Sequence, residues 1–332
     1  MRPPFRPADA FPRNPTRRAQ PAERSLHAPA TPVEARCADR PGLRAVKVRC
    51  WGVRGSIPVP GPGTARWGGN SSCVELRAPG EAPLVLDAGT GARELGGALL
   101  REGVSDVHML LTHFHTDHVF GFPFFGPLYA PSCKVDVGLQ GYDAGDAQAR
   151  LGAYLNGVFH PVRAREFPAK PTFHGVRPAR AFELGPYRIE AIALNHPGGA
   201  LGYRIEAGGW SVCYLTDTAP LARPGEGAVD GKAPPGPERR LLKLMEGADL
   251  VIMDTMFSWE EYLEKMTWGH AYPEYGASLC ALAEANRLLL FHHAPDAEDD
   301  ALDALDAKWR AYEGLPVQLA REKELIDLSE GP

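Results

Sequence analysis

The stretch His113-Phe114-His115-Thr116-Asp117-His118 gathers three imidazoles and a carboxylate within six residues, directly after an apolar run from Val107 to Leu111. That run reads as a buried strand. At its end the side chains of His113 and His115 point the same way, and a turn beginning at Thr116 folds Asp117 and His118 back toward them. Nitrogen and oxygen donors of these types suit zinc, with room for two ions if other ligands arrive from farther along.

Metal sites are completed by residues distant in sequence, so the positions just past other strands matter most. His196 follows Ala191 to Asn195, Asp217 follows Cys213 to Thr216, and His292 with His293 follows Leu288 to Phe291. The expected cage puts His113, His115 and His196 on one ion, and Asp117, His118 and one of the final His pair on the other, with Asp217 bridging. Two ions so held would trap a nucleophilic hydroxide and bind the charged oxygens of a substrate. His270 precedes a predicted helix and lies 22 positions ahead of His292, an interval that a helix plus a strand fills. Both histidines then return to the same sheet edge, which makes His270 a candidate general acid for a leaving oxygen.

These side chains need a scaffold of strands. Strand patterns run from Ala45 to Trp51, Cys73 to Leu76, Leu84 to Asp87, Lys134 to Leu139, Tyr187 to Leu194, Gly202 to Ala207, Trp210 to Leu215, Leu250 to Asp254 and Arg287 to Phe291. Helical patterns cover Ala92 to Arg101, Asp146 to Tyr154, Glu238 to Glu246, Pro273 to Asn286 and Asp299 to Tyr312. The order suggests an α/β (α+β) domain of two β-rich halves with helices outside, the metal ligands meeting where the halves join. The Pro- and Gly-rich stretch from Ala219 to Glu238 reads as a long loop that could gate the site.

Two further stretches are candidate substrate contacts. Gly52 to Pro58 and Arg66 to Ser72 are Gly-rich loops whose N–H groups can approach an anion, and Arg54, Arg66 or Asn70 could hold phosphate oxygens. His160 and His174 show no convincing partners and read as surface histidines.

Composition bounds the partners. The formal net charge is −5, but residues 1–46 hold nine Arg against four acids, a surplus of five that leaves about −10 for the remainder. A body this acidic makes nucleic acid an unlikely general partner. The first 45 residues are rich in Pro and Arg and lack apolar periodicity, which predicts a disordered tail ahead of one domain over residues 46–332. Six dispersed cysteines without a Cys-x-x-Cys pair read as free thiols in a reducing compartment. With no membrane-length apolar run and no signal sequence, the expectation is a soluble, cytoplasmic protein.

Taken together, the His-x-His-x-Asp-His core, His196 followed by Gly202-Tyr203, Thr216-Asp217-Thr218, Gly269-His270, Leu290-Phe291-His292 and Asp87-Ala88-Gly89 resemble the metallo-β-lactamase superfamily. Within it the closest likeness is to the phosphodiesterase branch, which includes the tRNA 3′-processing ribonucleases and the cyclic phosphodiesterases. The resemblance runs from about Val46 to about Ser329. It implies a four-layer αβ/βα sandwich with a metal cleft at its edge, two Zn²⁺ (with Mn²⁺ or Fe²⁺ as alternatives), and a homodimer. It marks Asp117 as the residue typical of dinuclear hydrolases and, with the 22-residue interval, favours His292 as the last ligand. His293 then faces substrate or stands behind the ligand.

The function expected from these residues is a dinuclear phosphodiesterase. Its bridging hydroxide would attack a small, cyclic phosphodiester such as a cyclic nucleotide, with His270 as general acid. One alternative is a tRNA 3′-processing endonuclease, which resembles this chain in core motifs but carries a Gly- and basic-rich arm not evident here. The other is a hydrolase of lactones, β-lactams or thioesters, which would use the same hydroxide.

Overall fold

The apolar runs divide by parity, and that division builds the molecule. In the run Trp210 to Leu215, Val212 and Tyr214 join one buried cluster while Cys213 and Leu215 join another. Leu250 and Ile252 likewise part from Val251 and Met253, and Leu289 and Phe291 from Leu288 and Leu290. Strands buried on both faces in this way need helices outside and a second sheet inside.

The computed structural model describes residues 46–221 and 236–330. In the first sheet β1 (Lys47–Gly52), β2 (Cys73–Arg77) and β3 (Leu84–Leu86) pair antiparallel. β3, β4 (Asp106–Leu110), β5 (Lys134–Gln140) and β6 (Thr172–Val176) then run parallel. The second sheet contains β7 (Ala181–Leu184), β8 (Tyr187–Leu194), β9 (Ala200–Ala207) and β10 (Trp210–Leu215), all antiparallel. β11 (Leu250–Asp254), β12 (Leu288–Phe291) and β13 (Val317–Leu319) extend it in parallel from β10. β14 (Leu325–Asp327) returns to the first sheet beside β1, so among the described residues each sheet has seven strands.

One apolar cluster lies between the sheets, with Leu76, Leu84 and Leu110 from the first facing Tyr203, Tyr214 and Phe291 from the second. A second cluster packs α1 (Gly91–Arg101) and α3 (Ala144–Tyr154) on the first sheet. A third packs α4 (Gly236–Met245), α6 (Pro273–Leu282) and α7 (Asp299–Arg310) on the other. The result is the four-layer αβ/βα arrangement. Two shorter helices, α2 (Thr116–Val119) and α5 (Trp259–Lys265), sit in connections.

The sheets are tied together at one edge. The Leu201 N–H donates to the Thr112 carbonyl at 3.0 Å, the Tyr203 hydroxyl to the Leu111 carbonyl at 2.7 Å, and the Tyr214 hydroxyl to Asp87 Oδ2 at 3.0 Å. That edge is where β3, β4, β8, β10, β11 and β12 all end.

Among the described residues no helix is long and apolar enough to cross a membrane. The five described cysteines are buried and unpaired. His160 departs from expectation: it is buried, packed edge-on against Phe124 with centroids 5.4 Å apart. The expected tail over residues 1–45 and most of the loop over 219–238 lie outside the described residues.

Candidate metal centre

His113 leaves the end of β4, and α2 begins one residue after His115, so a single helical turn brings Asp117 and His118 back over the strand end. His196 follows β8, Asp217 follows β10 and His292 follows β12. Three of the residues at these strand ends adopt left-handed backbone without being glycine: Asp87 (φ 57°), Asp217 (φ 54°) and His292 (φ 65°). Such conformations cost on the order of 1–3 kcal/mol each and persist where surrounding structure enforces them. Here each turns its side chain back across the edge.

Asp217 stands at the centre, with its two oxygens facing different groups. Oδ2 lies 3.6 Å from His113 Nε2 and 3.5 Å from His196 Nε2, and His196 Nε2 is 2.9 Å from His115 Nδ1. Oδ1 lies 3.1 Å from His118 Nε2 and 3.0 Å from His292 Nε2, each of which is 3.2 Å from Asp117 Oδ2. Four donors at 2.0–2.1 Å around a tetrahedral ion are spaced about 3.3 Å apart. The observed separations match that spacing, and His113 Nε2 is buried, aimed inward, and makes no hydrogen bond within the protein. A divalent cation satisfies both facts, so the residues present fit a metal.

Charge agrees. Burial would raise the Asp217 carboxyl, but the facing imidazoles of His118 and His292 hold it well below the usual range. Burial also disfavours the His118 cation, yet the carboxylates of Asp217, Asp117 and Asp87 together push its pKa well above the ordinary value. The pocket therefore stabilises positive charge at its centre. His113 goes the other way: burial, reinforced by neighbouring His118, keeps it neutral, which is the form a metal takes.

The groups behind the donors are fixed in turn. Asp87 Oδ2 is 2.8 Å from His118 Nδ1, while its Oδ1 accepts the Thr112 N–H at 2.7 Å. His196 Nδ1 meets the Gly269 carbonyl at 3.0 Å. Gly269 (φ 91°) has to be glycine, because a Cβ there would stand 2.3 Å from His196 Nδ1. Removing a carboxylate that orients a metal-binding imidazole commonly costs 10–100-fold in metal affinity. Asp87→Asn should therefore weaken metal binding by about that factor while the protein stays folded, as read by titration against a competing chelator.

His270 joins this edge through a partner that sequence reasoning missed. Its Nδ1 is 2.8 Å from Asp254 Oδ2, and Asp254 is itself held by the N–H groups of Thr218 (3.2 Å) and Met256 (3.0 Å). The His270 ring stacks on His292 with centroids 5.2 Å apart and lies 5.4 Å from His196. Asp254 is the last residue of β11, so the strand-end rule that found Asp217 would have found it too. Within the Gly52 to Pro58 stretch the Ser56 N–H donates to Asp117 Oδ2 at 2.8 Å, so this loop's N–H meets a carboxylate of the centre.

The expected substrate contacts are placed otherwise. Arg54 is fully buried and donates to the carbonyls of Gly68, Ala294 and Ala297, so its guanidinium joins loops instead of lining the cleft. Asn70 is bound through its backbone N–H and side-chain amide to Glu322. Arg66 pairs with Asp300 and Asp303. His293 is buried with Nε2 2.7 Å from the Ala320 carbonyl, behind His292. Arg54 and His293 satisfy backbone carbonyls of neighbouring segments, while Asn70 and Arg66 pair with side-chain carboxylates, demands that sequence alone does not display. Gly55 allows a close approach, since a Cβ there would meet the His292 ring at 2.5 Å.

His293 carries a pH consequence. Burial, with Arg54 nearby, lowers its pKa from 6.5 to about 4 against the opposing Ala320 carbonyl. Below pH 6.5 the unfolded chain takes up a proton that the folded chain refuses until about 4, so stability falls as pH drops through that window. The loss should reach roughly 3 kcal/mol. Urea melts between pH 7 and 4 should show it in the wild type and a flatter profile in His293→Gln.

Fold and site together define a hydrolase of the αβ/βα class, with a cluster of His and Asp that fits a divalent metal. Residues 84–293 match the family model described as the Beta-lactamase superfamily domain. A Ribonuclease Z of Synechococcus sp. (strain WH7803) is 30% identical over 310 residues, covering 78% of this chain and 91% of that protein. An uncharacterized protein of Mycobacterium leprae (strain TN) is 28% identical over 89% of this chain and 95% of its own length. Among solved structures, the metallo-β-lactamase fold protein YhfI from Bacillus subtilis superposes with a TM-score of 0.61 at 19% identity, over 86% of this chain and 99% of that one. The chain belongs to the beta-lactamase superfamily and is a hydrolase of that family.

Proposed function

We propose that this protein is a dinuclear metal-dependent phosphodiesterase acting on a small, cyclic phosphodiester. The observation that carries the reading is the division of Asp217: Oδ2 faces His113 and His196, while Oδ1 faces His118 and His292. One carboxylate serving two donor sets is what a pair of ions requires. His113, His115 and His196 would hold one ion, Asp117, His118 and His292 the other, with zinc favoured by the His-rich donor set and manganese or iron as alternatives. When bound, such ions supply an activated water and neutralise phosphoryl oxygens.

His270 supplies the proton for the departing alkoxide. Its Nδ1 faces Asp254 Oδ2 at 2.8 Å, which fixes the ring and leaves Nε2 to meet the departing oxygen. Asp254 acts through His270 and is a positioning residue. The mostly acidic remainder of the chain and the lack of a basic arm in its sequence favour a small substrate over a polynucleotide.

A second reading, tRNA 3′ processing, is favoured by the Ribonuclease Z relative, 91% of which this chain covers. Metal-reconstituted protein should be assayed on bis(p-nitrophenyl) phosphate, cyclic nucleotides, precursor tRNA and a lactone. Turnover of cyclic nucleotides far above precursor tRNA supports the first reading. Cleavage of precursor tRNA as the dominant activity establishes the second, and turnover of the lactone alone removes both.

A further inference from the structure

β4, whose C-terminal end leads to His113, begins at the opposite edge with chemically capable residues that continue onto β5 and β6. On β4, Val107 and Met109 turn outward to the helix layer, and Asp106 and His108 share the other face with Leu110. β5 places Lys134 directly across from Asp106 and Asp136 across from His108, and β6 brings His174 next to Gly138. A face between two sheets is ordinarily apolar. Here its outer rim carries two acids, two imidazoles and a lysine, roughly 20 Å of strand away from the cleft.

His108 is the reason to read this as a site. It is 4% exposed, and its Nδ1 is sealed from solvent without a hydrogen bond within the protein. Its orientation is locked: Tyr187 packs edge-on at 6.4 Å, and the turn at Gly185 (φ 57°) lies so close that a Cβ there would stand 2.0 Å from His108 Nε2. Nδ1 is thereby held 3.6 Å from Asp136 Oδ2, too far for a hydrogen bond but the ordinary separation of two ligands on one ion. The other oxygen, Asp136 Oδ1, is 3.4 Å from His174 Nε2. Asp106 Oδ1 is shielded as well and lacks a hydrogen bond, and donor atoms of Asp106, His108 and Asp136 lie within 4.8 Å of one another.

We infer that Asp106, His108 and Asp136, with His174 within reach, form a second divalent-metal site, of the zinc class, separate from the catalytic cleft. Burial lowers the pKa of His108, so the imidazole is neutral at neutral pH and offers its lone pair. Lys134 supplies positive charge in the absence of a metal, with Nζ 2.9 Å from Asp136 Oδ2 and 3.9 Å from Asp106 Oδ1. Its side chain is 63% exposed, so the ammonium can withdraw into solvent as an ion enters. A groove of about 680 Å³, bordered by Arg77, Pro83, Asp106, His108 and Lys134, gives that ion a route in. Bound there, it would pin the starts of β4 and β5 together and, through His108, brace the turn between β7 and β8.

The test is equilibrium dialysis of the full chain against Zn²⁺, with metal counted by mass spectrometry in wild type, His108→Gln, Asp136→Asn and Lys134→Met. The wild type should hold one more equivalent than His108→Gln or Asp136→Asn, with hydrolytic turnover unchanged in both. Lys134→Met, lacking the competing ammonium, should bind that extra equivalent at least about tenfold more tightly. Zn²⁺ should also raise the Tm of metal-replete wild type but not of His108→Gln. If Asp136→Asn fails to fold, His108→Gln and Lys134→Met decide the matter. Equal stoichiometry in wild type and His108→Gln, or a Lys134→Met affinity no tighter than wild type, overturns the site.

Discussion

Replacing Asp217 with Ala should abolish turnover, by on the order of 10³-fold or more, and should reduce the metal content of the cleft. Among the described residues Asp217 alone offers one oxygen to each donor group, so on the proposed reading its loss removes a ligand from each at once. It also removes the negative charge that offsets the imidazoles on either side. Because the side chain is 2% exposed, Ala leaves a small polar void and a destabilised edge. Asp217→Asn separates the two effects: it keeps volume while removing charge. Both variants should show the loss in metal content and turnover, with Asn retaining more of the wild-type Tm. Full metal occupancy in Asp217→Asn would show that the bridging carboxylate is dispensable.

His270→Ala should act on rate and leave the metals in place. A positioned general acid is worth about 10²–10⁴-fold, so that loss is expected for substrates with alkoxide leaving groups such as cyclic nucleotides. With bis(p-nitrophenyl) phosphate the loss should be small, since p-nitrophenolate departs without a proton. Asp254→Asn should follow the same pattern with a smaller drop, because it removes the carboxylate that fixes the His270 ring. A loss on cyclic nucleotides with little loss on bis(p-nitrophenyl) phosphate is a split that a merely structural role would not cause. Equal losses on both substrates would remove His270 from proton transfer.

The strands at Tyr187–Leu194, Trp210–Leu215 and Leu250–Asp254 stand where the sequence places them. They are buried on one or both faces, carry dense β-branched and aromatic residues, and end in turn residues. β6, β7, β13 and β14 escaped notice. β6 is interrupted by His174 and Gly175, β7 is four residues long and the other two are three, shaped by pairing and not by any pattern of their own. α5 could have been read, since Ser258 and Glu261 form a capping box at its start. Pro273 marks the start of α6 as expected, but the helix stops at Leu282, four residues short of the predicted end, near Glu284 in left-handed backbone (φ 51°).

At the site, the donors were legible because each is a His or Asp directly after an apolar run. What stayed hidden was how loops pair with loops. Arg54, Asn70 and His293 have the right chemistry for a phosphate, yet each is engaged by carbonyls or a carboxylate from segments more than a dozen residues away. Tertiary contacts of that range leave no local periodicity. Asp254 ends an apolar strand just as the donors follow theirs and could have been read in the same way; only its pairing with His270 needed the fold.

The most direct test of the account is anomalous diffraction, at the absorption edge of the bound metal, from crystals of the metal-reconstituted protein. Two peaks in the cleft are predicted, one against Asp217 Oδ2 among His113, His115 and His196, the other against Oδ1 among Asp117, His118 and His292. A single peak in the cleft of fully reconstituted protein, or a pair that Asp217 does not join, would contradict it.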